Sequence, residues 1–263
     1  MDIASYLPAD YPWKENLHHF PTIDSTNDRL KAMARQGAPH GTVLVADHQT
    51  TGHGRLGRSF HSPAASGVYL SVLLRPNCVP TELMHLTCAA AVAMCDAVDK
   101  AAGFRPGIKW TNDLVFEKRK LGGILTELGF TADGRVDYAI IGIGINCCQQ
   151  ADDFPQDIRS IAGSLSMVTG NAVDRGAVAA AMADSLYRMS GRLLTDRADM
   201  LRQYRADCIT VGREISLVRG DEVRHGKAVD VDDLGALVVD FPDGHREAVN
   251  SGEVSIRGMY GYI

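Results

Sequence analysis

The chain has 263 residues, a formal net charge of −5, 45% hydrophobic and 22% charged residues, an ordinary globular balance that argues against disorder and against a general nucleic-acid binder. Its length suits one large domain plus a small one. Six scattered cysteines at 78, 88, 95, 147, 148 and 208 fit reduced thiols in the cytoplasm, while the N-terminus lacks a signal-peptide pattern and the apolar runs fall short of a membrane span.

The segment "DSTNDRLKAMARQG" opens on capping-type residues and carries Leu30, Met33 and Ala34 at helical spacing, predicting a helix over about 26–36. "TVLVADHQ" is a strand that runs into the loop "TGHGRLGRSF", and "GVYLSVLLRP" is a second, largely buried strand ended by Pro76. The alanine-rich stretch over roughly 81–101 has the length and terminal glycine of a buried helix. "DLVF", the charged turn "EKRK" and "LGGILTELGF" predict a hairpin, followed by the strand "DYAIIGIGINC". Residues 173–204 read as mostly helical. Over 211–263 the chain changes to short strands separated by glycines, predicting a small β barrel, so the domain boundary is set at 1–210 and 211–263. Acidic residues outnumber basic ones in that last piece, which does not suit a nucleic-acid module.

Three constellations carry chemistry. Gly52, Gly54 and Gly57 with Arg55 and Arg58 read either as a solvated surface turn or as a flexible cover that clamps an anion, since an arginine fork beside exposed N–H groups matches phosphate or carboxylate oxygens. No Lys-Ser or Lys-Thr pair follows, as a nucleotide-hydrolase phosphate loop requires, and no helix opens after it. In "KWTND" and "KRKLGG", Asp113 reads either as a turn cap or as an oxygen ligand for Mg²⁺, and on residue type alone Lys120 is a solvated charge of its turn. In "GIGIN", Gly142 and Gly144 share one face of a strand, leaving a slot for a flat ligand or marking a bulge. No Ser, His and Asp set and no zinc spacing is legible, so chemistry rests on charge stabilisation by arginine and lysine.

Taken in order, "DSTN", "QTTGHGRLGR", "KWTNDL", "KLGGILTE", "GIGINC" and "SGEVSIRG" resemble the motifs of the biotin protein ligases from about residue 20 to 258. The resemblance implies an α+β fold, a mixed β-sheet with helices on one face, plus a small C-terminal SH3-like β barrel. It implies an enzyme that uses ATP, with Mg²⁺, to turn biotin into biotinyl-5′-adenylate, and then transfers biotin to one lysine of a biotin carboxyl carrier domain. By the same resemblance Ser25, Thr26 and Gln49 bind the biotin ring region, with Gly52 and Gly54 closing over it. Arg55 and Arg58 bind phosphate and Phe60 packs beside the adenylate. Lys120 is the central catalytic lysine between biotin carboxylate and α-phosphate, Asn112 and Asp113 belong to the nucleotide and metal region, and Gly142, Gly144 and Asn146 form the pocket floor.

Two departures stand out: His53 where familiar members carry Arg, implying a weaker or pH-sensitive grip, and Thr111 where they carry Pro, with local effects. "DSTN" starts at 24, too early for the N-terminal helix-turn-helix of repressor members, so no DNA binding is expected. A homodimer through the central sheet edge is implied by the resemblance alone. The rival readings are a lipoate or octanoate attachment enzyme, which shares the fold and a crucial lysine, and a non-catalytic biotin- or carrier-binding regulator.

Overall fold

A computed structural model describes residues 1–250 and 255–258; of the closing "SGEVSIRG" motif, 251–254 lie outside the described residues. The elements in chain order are β1 (Leu17–Phe20), α1 (Thr26–Arg35), β2 (Thr42–Ala46), β3 (Gly67–Leu74), α2 (Leu86–Ala102), β4 (Gly107–Lys109), β5 (Asp113–Phe116), β6 (Arg119–Phe130) and β7 (Val136–Asn146). They continue with α3 (Leu165–Thr169), α4 (Arg175–Arg192), α5 (Arg197–Asp207), β8 (Glu214–Arg219), β9 (Glu222–Val231), β10 (Leu237–Asp240), β11 (Arg246–Val249) and β12 (Ser255–Gly258).

The first seven strands form one sheet in the order β1-β2-β3-β7-β6-β5-β4. It is mixed: β1 runs parallel to β2, and every other pair is antiparallel. The period-2 alternation of strands divides the side chains between two faces. Val43, Val45, Val68, Leu70, Val72, Ile141, Ile143 and Ile145 point to one face, where the long helices α2 and α4 bury their alanines. Val68 and Gly142, one on each face, show what the sheet separates: a dry core and a site.

On the opposite face Leu30 and Ala34 of α1 pack against Leu44, Leu73, Tyr138 and Ile140. The long helices thus share one face, as expected, while the short α1 sits across from them. Its apolar stripe covers only part of that face, and the rest remains open beside the helix N-terminus. The predicted helix at 81–101 starts later, at Leu86, because Pro80 opens a 3₁₀ turn over Pro80–Leu83 in which the Glu82 carboxylate accepts the Val79 N–H at 2.9 Å. By length and composition the stretch Pro80–Ala102 does reach a membrane span, contrary to the sequence reading, but 72% of its 18-residue apolar window is buried inside the fold, as the central helix of the core.

The C-terminal strands form a second sheet in the order β11-β10-β9-β8-β12, and here the expectation of an SH3-like barrel is overturned. β11 pairs with β10 and β12 with β8, so among the described residues the sheet stays open. Closure requires the two edge strands to meet in register, and both edges are only four residues long. Nor does the apolar face need closure for cover. Ile215, Leu217, Ala228, Val231, Leu237 and Val239 join the same hydrophobic cluster as α2 and α5. The β9–β10 turn is tied down as well, since the Trp110 indole N–H donates to Gly235 O at 3.0 Å and the Arg205 guanidinium pairs with Asp233 at 2.8 Å.

Candidate active site

The open part of the sheet face becomes a chamber because three segments rise around it. The first is the N-terminus of α1. Ser25 caps the helix in an extended conformation, its Oγ accepting the Asp28 N–H at 3.3 Å. The next residue, Thr26, donates its N–H to Gln49 Oε1 at 2.8 Å, and its Oγ1 lies 3.0 Å from the same oxygen. Gln49 in turn donates from Nε2 to Ser62 Oγ at 3.2 Å, and Ser62 donates to Phe60 O at 2.9 Å. Helix start and loop exit are thereby fastened to each other through one glutamine.

The second segment is the loop 51–60. Gly54 N–H donates to Arg58 O at 2.6 Å and Phe60 N–H to Gly52 O at 2.9 Å, folding the loop back on itself. Gly52 is glycine for a steric reason: a Cβ there would come within 2.6 Å of Ser62 Oγ and 2.7 Å of Phe60 O. At the tip, Leu56 takes a left-handed φ of 56° and leaves 58% of its surface exposed, the aspect of a cover rather than of a core. His53 reaches back to α1, with Nε2 2.8 Å from Asp28 Oδ2.

The third segment is the hairpin of β5 and β6. Lys120 N–H donates to Ile161 O at 2.7 Å and Lys120 O accepts the Gly163 N–H at 2.9 Å, so its backbone is clamped by the 161–163 segment while its side chain turns inward. Lys120 Nζ stands 2.6 Å from Asp113 Oδ1. Arg55 spans from the loop, its guanidinium donating to Asn112 Oδ1 at 2.9 Å while Asn112 donates from Nδ2 to Ile124 O at 2.9 Å. Burial lowers the Arg55 pKa, with Asp113 opposing and Arg58 adding to the effect. Such a cation, partly desolvated, gains most when an anion enters.

Ser25, Thr26, Gln49, Gly54, Arg55, Arg58, Phe60, Asn112, Asp113, Lys120 and Gly142 all line this chamber, together with Asn27, Lys109 and Gly123. Gly144 lies beneath Phe60, where a Cβ would land in the ring, and Gly142 lies beneath Asn27 in the same relation. Gly52 holds the loop exit without lining the chamber. Asn146 stands apart: it is buried at the end of β7, donating to Gly163 O at 2.9 Å, and through that segment supports Lys120 from behind. Thr111 follows Trp110 across a cis peptide bond, its hydroxyl buried and its carbonyl accepting the Tyr204 O–H at 2.9 Å. Asn27, Ser71 and Glu127, which interlock below Thr26, had no signal in the sequence beyond their place in quoted motifs, since hydrogen-bond partners far apart in the chain leave no local pattern.

For a divalent cation the donor set is sparse. Asp113 is the one carboxylate lining the chamber, and among the described residues no group of three His, Cys, Asp or Glu side chains converges. This suits Mg²⁺ that arrives on a nucleotide, with phosphate oxygens and water as most of its ligands and a single carboxylate from the protein.

The Asp28 link between loop and helix predicts a pH effect. Burial pushes the Asp28 pKa up, but Lys31 at 2.7 Å and His53 at 2.8 Å outweigh it and leave it below the ordinary 3.8. A depressed carboxylate contributes stability that is present above its unfolded pKa and lost as pH falls through the folded one. Wild type should therefore lose stability relative to Asp28→Asn only as pH drops below about 4, read as converging denaturation midpoints. A constant gap from pH 6 to pH 2 would show that the pair contributes nothing.

The comparisons agree with this architecture. The model of the Biotin/lipoate A/B protein ligase family matches residues 19–146, and that of the Biotin protein ligase C terminal domain matches residues 210–257. The bifunctional ligase/repressor BirA of Bacillus spizizenii is 35% identical over 231 residues, covering 88% of this chain and 71% of that protein. The biotin–[acetyl-CoA-carboxylase] ligase of Mycobacterium tuberculosis is 33% identical over 239 residues, covering 88% and 85%. Among solved structures, the biotin protein ligase of Aquifex aeolicus in complex with biotin and ATP superposes with a TM-score of 0.79 at 29% identity, covering 93% of this chain and 99% of that one. With a matching catalytic-domain model, a matching C-terminal model and relatives aligned over most of both chains, this protein belongs to the biotin protein ligase family.

Proposed function

We propose that the chamber holds biotin and ATP end to end, with the division of labour written in its lining. The observation that carries this reading is the asymmetry of the chamber. Neutral hydrogen-bonding groups, Ser25, Thr26 and Gln49, stand at the end near α1, while Arg55, Arg58, Lys109 and Lys120 gather at the other end around Asp113. A ureido ring suits the first end and a carboxylate beside phosphates suits the second.

The enzyme activates biotin with ATP and transfers it to a carrier protein. In the first half-reaction a carboxylate oxygen of biotin bonds to the α-phosphorus, the bond to the bridging oxygen of pyrophosphate breaks, and biotinyl-5′-adenylate forms. Both reactants are anions, so the protein's task is to neutralise their approach and the charge gathered on the equatorial oxygens. Lys120 serves both partners from its clamped position, Arg55 and Arg58 hold phosphate, and Asn112 fixes Arg55. Asp113 orients Lys120 and offers the protein's oxygen to Mg²⁺, which supplies further neutralisation of the phosphates when bound. Gly142 and Gly144 keep the floor flat, Phe60 packs against the nucleotide, and the loop 51–60 closes over the intermediate to keep out water. In the second half-reaction the neutral amine of the carrier lysine attacks the activated carbonyl and AMP leaves.

The same reading includes a homodimer across the β1 edge of the central sheet, supported by the pairing of β1 with β2 on one side alone among the described residues, and a cytoplasmic location, supported by six free cysteines. Pyrophosphate release from Mg·ATP should require biotin and not proceed with lipoate or octanoate, and mass analysis of an added carrier domain should show one biotinyl group. Tight biotin binding with no release from any acid would leave a binding protein and overturn the enzymatic reading.

A further inference from the structure

Beneath the ring-binding end lies a chain of four polar groups, part-exposed at Glu127 and buried at Asn27, Ser71 and Thr26, whose proton positions can be assigned one by one. It starts at Glu127 on β6, whose carboxylate takes Lys31 Nζ at 2.9 Å on Oε1 and the Asn27 amide at 2.8 Å on Oε2. A carboxylate paired with an ammonium accepts hydrogen bonds, so the atom of Asn27 that faces it is Nδ2 and the atom on the far side is Oδ1. That oxygen lies 2.6 Å from Ser71 Oγ. An amide oxygen has no proton to give, so the single proton of Ser71 goes to Asn27.

Ser71 Oγ also lies 2.7 Å from Thr26 Oγ1. With its own proton committed, Ser71 is the acceptor there, and the proton between the two hydroxyls is that of Thr26. The other acceptor within reach of Thr26, Gln49 Oε1, is farther at 3.0 Å and already takes the Thr26 backbone N–H at 2.8 Å. Sending the hydroxyl proton to it would leave two oxygen lone pairs facing each other at 2.7 Å in a fully buried place, a costly arrangement at low dielectric. The Thr26 hydroxyl therefore directs its proton down into the sheet and its lone pairs into the chamber.

We propose that Glu127, Asn27 and Ser71 are positioning residues that fix Thr26 Oγ1 as an acceptor toward the bound ring, so that it selects an N–H at that point and rejects an oxygen. This rests on the reading above that the biotin ring lies against Thr26. Glycine at 142 belongs to the device, because a Cβ there would land on the Asn27 amide and break the chain in the middle.

The test compares biotin with its cyclic-carbamate analogues, in which one or the other ring N–H is replaced by O, by calorimetric titration of the full-length protein. Wild type should bind the analogue altered at the Thr26 position roughly 30-fold more weakly than biotin, because two acceptors then oppose each other. In Ser71→Ala only Gln49 Oε1, 3.0 Å away and already taking the Thr26 N–H, remains to hold the Thr26 proton against the ligand, and the ratio of the two dissociation constants should fall about tenfold, with Glu127→Gln shifting it in the same direction. A purely structural loosening of the pocket would weaken both ligands alike and leave the ratio in place. An unchanged ratio in both variants overturns the proposal, and a change in Ser71→Ala alone removes Glu127 from it. Thr26→Val separates the underlying reading: if it binds biotin as wild type does, the ring does not lie against Thr26, and that placement fails on its own account.

Discussion

Replacing Lys120 by alanine is expected to slow adenylate formation by about 10³-fold while the fold survives. The side chain is part-exposed and makes no contribution to the hydrophobic core, and its position is held by backbone bonds from Lys120 to Ile161 and Gly163, which alanine retains. The chemical loss is larger than that of one missing donor. Asp113 Oδ1 sits 2.6 Å from the ammonium, so removing Lys120 leaves a carboxylate facing two further anions, the biotin carboxylate and the α-phosphate. Lys120→Ala combined with Asp113→Asn should accordingly be non-additive, a coupling that only neighbours show. Arginine is no substitute: a planar fork does not reproduce a compact ammonium held 2.6 Å from Asp113 Oδ1. Single-turnover pyrophosphate release measures the step directly. A fall of less than about tenfold would take Lys120 out of the chemistry and shift the burden to Arg55 and Arg58.

Much of this site is written in local pattern. The cap at Ser25 and the stripe of α1, the glycine loop, the hairpin around "EKRK" and the alternation of "GIGIN" each follow from residue spacing within a dozen positions, and each has its counterpart in the structure. What could not be read is whatever depends on partners distant in the chain. Asn27 and Glu127 are 100 positions apart and Ser71 and Asn27 are 44 apart, so no window contains the network they form. Lys120 by residue type is a solvated charge, and only the 161–163 segment, which clamps its backbone, turns it toward Asp113. The fate of the C-terminal strands was misjudged for a similar reason. Short glycine-punctuated strands imply that an apolar face must be covered, but not by what, and here that face joins the core of the large domain, with α5 against β9, rather than closing into a barrel. The face taken by α1 was equally illegible, because an amphipathic stripe says that one side is buried without saying on which side of the sheet.

Gly142→Ala, the addition of one methyl group, is expected to cost about 1–3 kcal/mol of stability and at least about 100-fold in biotin affinity. On β7 Gly142 stands opposite Ser71 of β3 and Leu125 of β6, in the middle of the sheet where the backbone cannot bow away. The new methyl would land on the Asn27 amide. That amide cannot step aside either, since Ser71 holds its oxygen and Glu127 its nitrogen, and it belongs to the first turn of α1. The strain is relieved by lifting the helix N-terminus, which carries Ser25 and Thr26, and a displacement of about 1 Å in groups that orient a ligand is enough for the affinity loss. Gly191→Ala provides the contrast. It lies in the last turn of α4 with nothing within 4 Å of its Cβ position, so it should gain at most about 0.5 kcal/mol from helix propensity and leave biotin binding as it was. Denaturant midpoints and biotin titrations of the two variants decide the matter together. Wild-type biotin affinity in Gly142→Ala would mean that the floor of the chamber has slack, and that the position of α1 does not control the ring-binding end.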